Sequence, residues 1–313
     1  MRDAFVDSLC RAATADKRVM LLTGDLGFGV LDRFANEHPD QYLNVGVAEQ
    51  NLTGVATGLA LDGHIVFTYS IANFPTLRCL EQIRNDACYH NANVKVVAIG
   101  GGFSYGPLGM SHHATEDLAI LRALPNMTVV APGDDWEAAC ATTALLNTPG
   151  TCYLRLDRSS ASATASVVER FEIGRARTVR NGSDVTLVST GGILSDVIDA
   201  ADLLAREQIS CRVVSMHTVK PLDIETIREA AQETGGIVTV EEHGLNGGLG
   251  SAVAEVCMDF GWLPRMFLRL GLPPEFVSAV GSQAYLRKEH GLDGHSIARQ
   301  TASALLTAVP AAL

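Results

Sequence analysis

A carboxyl group placed where a strand gives way to a helix, among apolar neighbours, can trade a proton with a ring nitrogen. Glu49 stands in that setting, within Leu43-Asn-Val-Gly-Val-Ala-Glu-Gln-Asn51. Val45, Val47 and Leu52 leave it few waters, which favours the protonated form; the helix N-terminus favours the charged one. Two readings stay open, a dipole-capping carboxylate and a general acid or base. Gly24-Asp25-Leu26-Gly27 follows the apolar run Val19–Thr23, so Asp25 sits where parallel sheets bind ligands, or caps its own turn. The spacing is not that of a phosphate cradle. Five glycines and a proline run from Gly100 to His113, a loop long enough to suggest function. It ends in His112 and His113, which point apart. One beside a ligand and one against the fold suits them better than a shared metal. Phe74, in Tyr69-Ser-Ile-Ala-Asn-Phe74, either stacks on a flat heterocycle or fills the core. Glu241–Gly250 is a Gly-rich strand-to-helix turn whose spacing suits close helix–sheet packing more than an anion site.

These residues need a frame. Val19–Thr23, Ile65–Thr68, Val94–Ile99, Met127–Ala131 and Cys152–Arg155 read as buried strands. Glu49–Leu61, Leu77–His90 and Trp136–Leu146 read as helices between them. After Ser159–Ser166, which has no large side chain, the alternation resumes. Val185–Ser189, Cys211–Ser215, Gly236–Val240 and Met266–Leu268 read as strands. Ser195–Arg206, Ile224–Glu233, Gly248–Met258 and Ser296–Leu306 read as helices. The pattern predicts an α/β protein of two domains, residues 1–158 and 167–313 joined by a linker at 159–166. Each domain is a mostly parallel sheet covered by helices.

The 313 residues suffice for two such cores. A net charge of −11 without a basic run argues against nucleic acid and anionic membranes. No run reaches the roughly 18 apolar residues of a membrane span. Seven cysteines, odd in number and without a C-x-x-C pair, argue against a disulfide framework or a zinc knuckle. A soluble protein in a reducing cytoplasm is expected.

Taken in order, several segments resemble the transketolase family of thiamine diphosphate enzymes. They are Gly24-Asp-Leu-Gly27, Gly46-Val-Ala-Glu-Gln-Asn51, Glu81-Gln-Ile-Arg-Asn85, Pro125-Asn-Met-Thr-Val-Val-Ala-Pro132, His217-Thr-Val-Lys-Pro-Leu-Asp223 and Glu241–Gly250. The resemblance spans about residues 1–310, the family's pyrimidine-binding and C-terminal domains. It implies that Glu49 hydrogen-bonds the coenzyme's aminopyrimidine and favours the tautomer that deprotonates the thiazolium. It implies transfer of a two-carbon ketol unit from a ketose to an aldose. Phe74 falls where the family stacks a ring on the pyrimidine, with Asp25 and Ile71 nearby. His112 falls on a histidine of the substrate channel and is read as catalytic and substrate-binding. The family's Gly-Asp-Gly and Asn metal motif does not appear. The resemblance therefore implies no metal ligand in this chain. It implies a separate, larger subunit holding the diphosphate and Mg2+, two of each chain to an assembly.

Some positions depart from the family. Leu108 stands three residues before Ser111, where the family has an acid that reads sugar hydroxyls. A channel histidine is replaced near Gly100, and Ile71 replaces a pocket aromatic. The phosphate-gripping arginine aligns with Arg155 or Arg158; Arg155 is the expectation. Leucine accepts no hydrogen bond, and a hydroxyl buried against it unpaired costs about 1–3 kcal/mol, so an unusual sugar is expected. Rival readings are the β-type subunit of a 2-oxo acid dehydrogenase, a deoxyxylulose-phosphate-synthase-like enzyme, or a non-catalytic binding subunit. The second domain is expected to support dimer contacts and to hold no catalytic residue, His243 near the interface being the one candidate.

Overall fold

Val94–Ile99 is apolar but for Lys95, and all six residues are buried because helices cover the sheet on either side; the Lys95 ammonium donates to Thr148 O and Gly150 O. The computed structural model describes residues 1–158, 161 and 169–308. In chain order the strands are β1 (Val19–Thr23), β2 (Tyr42–Asn44), β3 (Ile65–Ile71), β4 (Val94–Ile99), β5 (Met127–Val130) and β6 (Thr151–Leu156). They continue with β7 (Arg177–Arg180), β8 (Val185–Thr190), β9 (Cys211–Ser215), β10 (Thr218–Lys220), β11 (Ile237–Gly244) and β12 (Phe267–Leu272).

The first sheet has the order β10-β5-β6-β4-β3-β1-β2, and the second β12-β11-β8-β9-β7. Pairing is parallel throughout except for β10 on β5 and β7 on β9. Phe5, Leu9, Phe34, Phe67 and Leu154 pack on one face of the first sheet. Leu52, Ile83, Val96, Leu118 and Tyr153 pack on the other. Each such side chain contributes about 1.5–3 kcal/mol by leaving water. The carboxyl ends of β1, β3, β4 and β6 face one way, and the loops after them carry most of the site residues described below.

Among the differences from the sequence reading, three bear on the architecture around the site. Helix Arg2–Ala15, which the sequence reading omits, covers the first sheet with Phe5 and Leu9. The helix read over Leu77–His90 is instead turns to Cys79, a short helix Leu80–Gln82 and a wider π segment Ile83–Cys88. In the wide turn the N–H of Tyr89 donates to Arg84 O. The strand β10 comes from the second half yet closes the edge of the first sheet, with Thr218 opposite Val130. Apart from this strand, the first sheet draws on residues 19–156 and the second on residues 177–272. Lys220 Nζ follows β10 across and donates to Arg122 O and Leu124 O at 2.9 and 2.5 Å. The linker 159–166 lies outside the described residues except Ala161, whose N–H donates to Gly133 O at 3.2 Å.

Candidate active site

Glu49 is the first residue of helix Glu49–Leu61, after β2, and is only 4% exposed. No side chain caps that helix end, so the carboxyl lies near free N–H groups. Its Oε2 accepts from Arg78 Nη1 at 2.8 Å; its Oε1 has no hydrogen bond among the described residues. The Arg78 guanidinium lies 4.7 Å from the centre of the Phe74 ring. The Phe74 ring in turn meets His112 edge-on at 5.2 Å. Glu49, Arg78, Phe74 and His112 thus form one continuous chain of contacts drawn from three loops. Arg78 is half exposed, and its planar cation donates to Glu49 where the N–H of a flat heterocycle could do so.

The turn after β1 packs against this group. A Cβ on Gly24 would lie 3.7 Å from Glu49 Cγ and 3.3 Å from Gly46 O. Asp25 is exposed at φ +58, and its N–H donates to Asn44 Oδ1 at 2.9 Å. Gly46 N–H donates to the same oxygen at 3.0 Å, so Asn44 ties the β1 turn to the approach of Glu49. Ile71 ends β3 with its side chain partly buried against the first core.

The loop after β4 holds the two histidines apart. His112 is half-buried between Phe74 and Tyr105, with Nδ1 3.0 Å from Ser111 Oγ. His113 is buried against Phe103, with Nε2 3.3 Å from Gly106 O, and burial pushes its imidazole below the usual range. Asn73 Nδ2 donates to His113 O at 2.6 Å, lacing the Phe74 turn to this loop. Leu108 is 56% exposed on the short helical turn Gly106–Leu108.

Arg155 corrects the sequence reading. It is 2% exposed and spent within the protein. Nε donates to Asp117 Oδ2 at 2.9 Å, and Nη2 donates to Ala114 O and Glu242 O at 2.8 and 3.0 Å. Such a guanidinium joins the two domains and cannot reach a sugar. Arg158 remains: it is exposed, with its guanidinium 5.3 Å from the Tyr105 ring centre.

His243 is likewise a joining residue. It is fully buried, Ala119 N–H donates to its Nε2 at 3.3 Å, and its Nδ1 donates to Gly244 O at 2.8 Å. Those two bonds assign the proton to Nδ1 and use both nitrogens. At the Glu241–Gly250 turn the helix N-terminus is satisfied by Glu241 itself, which accepts from Leu249 and Gly250 N–H at 2.7 and 2.8 Å. An external anion is not needed there. Among the described residues one group, Cys10, Glu37 and His38, has metal-ligand spacing. Its thiol suits a soft ion rather than magnesium.

Sequence reasoning missed Arg78 and Tyr105. The only signal for Arg78 is a cation four residues after Phe74, across a proline. For Tyr105 it is an aromatic inside a glycine loop.

Residues 1–163 match the family model for the transketolase pyrimidine binding domain, and 174–297 that for the transketolase C-terminal domain. One subunit of an apulose-4-phosphate transketolase from Phocaeicola vulgatus is 36% identical over 303 residues, covering 95% of each chain. The 6-deoxy-6-sulfo-D-fructose transketolase subunit SqwH from Clostridium sp. is 37% identical over 300 residues, covering 96% of this chain and 92% of that one. A solved structure described as a split gene transketolase, inactive beta4 tetramer, superposes with a TM-score of 0.87 at 36% identity over 97% of both chains. The chain belongs to the transketolase family and carries its pyrimidine-binding and C-terminal domains.

Proposed function

We propose that this chain is the small subunit of a two-component, thiamine-diphosphate-dependent transketolase, moving a two-carbon ketol unit from a ketose to an aldose. One observation carries the reading. A buried carboxylate, Glu49, with one oxygen unpartnered among the described residues, is linked through Arg78 to the ring of Phe74 in a chain that aligns over at least 95% of its length with named transketolase subunits. The residues fit the coenzyme's pyrimidine: Glu49 accepts a ring N–H, and Phe74 offers a flat apolar face. When bound, the coenzyme supplies the electron sink for cleaving a carbon–carbon bond beside a carbonyl. Glu49 fixes which ring nitrogen carries the proton. His112, its Nδ1 turned to Ser111, offers Nε2 to hold or move a proton of a substrate hydroxyl.

A larger partner subunit, two of each chain to an assembly, is proposed to hold the diphosphate and Mg2+. The relatives named as subunits support a partner, as does the structure described as an inactive tetramer of β chains. The sugars in the relatives' names carry a phosphate or a sulfonate, and the exposed Arg158 beside Tyr105 is the candidate to meet such a group. Leu108, exposed where the family reads a hydroxyl, favours a sugar with fewer hydroxyls on that side. All seven cysteines are free thiols, which supports a reducing compartment such as the cytoplasm. No described helix is long and apolar enough to cross a membrane.

The test is to co-purify the chain with a neighbouring-gene product carrying Gly-Asp-Gly and Asn, then assay coenzyme binding and ketol transfer. Release of CO2 would point to the decarboxylating rivals. Tight coenzyme binding and turnover by this chain alone would overturn the two-component reading.

A further inference from the structure

The ring of Tyr105 lies where a side chain at position 100 would go. Gly100 follows β4 at φ +107, and a Cβ built on it would fall on Tyr105 Cδ2 and Cε2. The same ring carries the Arg158 guanidinium 5.3 Å from its centre, and its centre lies 6.3 Å from that of His112. One aromatic residue therefore touches the strand-end glycine, the exposed cation and the channel histidine. Sequence distance hides this, since Arg158 follows β6 and Tyr105 follows β4. An exposed arginine samples many rotamers. Stacking on a ring removes part of that freedom before a substrate arrives, so less is lost on binding. The ring also puts an apolar surface over Gly100.

We propose that Tyr105 is a specificity-determining residue: its ring fills the space above Gly100 and holds Arg158 ready for the oxyanion terminus of a sugar, a phosphate or a sulfonate. This rests on the ketol-transfer reading of the cleft. It adds the group that sets which sugars enter.

The experiment uses the complex of this chain with its larger partner. KM and kcat are measured for a ketose phosphate, a sulfonated ketose and an uncharged ketose. Tyr105→Ala is expected to raise KM for the charged donors about tenfold relative to the uncharged one, with kcat changed less than about threefold. Tyr105→Phe, which keeps the ring, rescues most of that loss. In an Arg158→Met background, Tyr105→Ala adds nothing further to the ratio. Equal effects on phosphate and sulfonate assign a shared oxyanion site; an effect on one alone names the terminus. A charged-to-uncharged KM ratio that stays within about twofold of wild type in Tyr105→Ala overturns the proposal. Tyr105→Leu serves if the alanine variant fails to assemble. If the wild-type complex transfers no ketol unit, the cleft's proposed function fails instead. Calorimetric titration with inorganic phosphate then still decides the Tyr105 inference. Weaker binding by Tyr105→Ala supports it, and equal binding overturns it.

Discussion

Replacing Arg155 by methionine separates a structural arginine from a substrate arginine. Methionine keeps the apolar stem but supplies no donor. Ala114 O and Glu242 O each lose a bond, and Asp117 loses its cation while fully buried. Tyr153 still donates to Asp117 Oδ2 at 2.6 Å, so the carboxylate keeps one partner. Breaking a buried ion pair on one side costs about 3–5 kcal/mol, because the remaining charge stays desolvated. For a chain of 313 residues that lowers the melting midpoint by about 5–8 °C. Urea and thermal denaturation measure both quantities. Adding Asp117→Asn to Arg155→Met should recover part of the loss, since the orphaned charge is then gone. Arg158→Met is the contrast: its side chain is exposed, so stability should stay within about 0.5 kcal/mol while KM for an anionic sugar rises. An Arg155→Met protein that melts within about 1 °C of wild type, with KM raised instead, would refute the structural assignment.

Glu49→Gln should lower turnover of the complex by at least about 100-fold while gel filtration shows the assembly intact; near-normal turnover would remove Glu49 from the mechanism. Phe74→Leu loses a stacking face worth about 0.5–1.5 kcal/mol, so coenzyme affinity should fall roughly 2- to 12-fold by calorimetry. His217, stacked on Phe171 at 4.2 Å, is held down to about 3, chiefly by burial, with Arg177 adding and Asp223 opposing. Below its ordinary value near 6.5 the unfolded chain takes a proton that the folded chain refuses. Stability is therefore lost as pH falls from about 6.5 towards 3, by about 2 kcal/mol at pH 5. A His217→Asn variant lacks this slope; urea midpoints of the two proteins that move in parallel between pH 7 and pH 5 would contradict it.

Most strands, and the helix that begins at Glu49, were legible because their signals are local. Val94–Ile99 is, apart from Lys95, a run of apolar and mostly β-branched residues whose burial on both faces suits a covered sheet. Glu49 begins its helix where the sequence places it, and the ordered motifs around it carry the family. The linker reading falls almost wholly on residues outside the described ones. Helix Arg2–Ala15 and the π segment Ile83–Cys88 escaped, since neither has a sharp boundary signal. What the sequence determined alone is the alternation of apolar strands and helices, and the residue types that could do chemistry. Only the tertiary structure decided which charges meet. Arg78 reaches Glu49 across 29 residues, Arg155 reaches Asp117 across 38, and β10 crosses to the other domain's sheet. Such pairs leave no periodicity, because a buried guanidinium takes whichever carboxylate the packed sheets bring within reach. That contact turned Arg155 into a domain tie and left Arg158 exposed, over the Tyr105 ring.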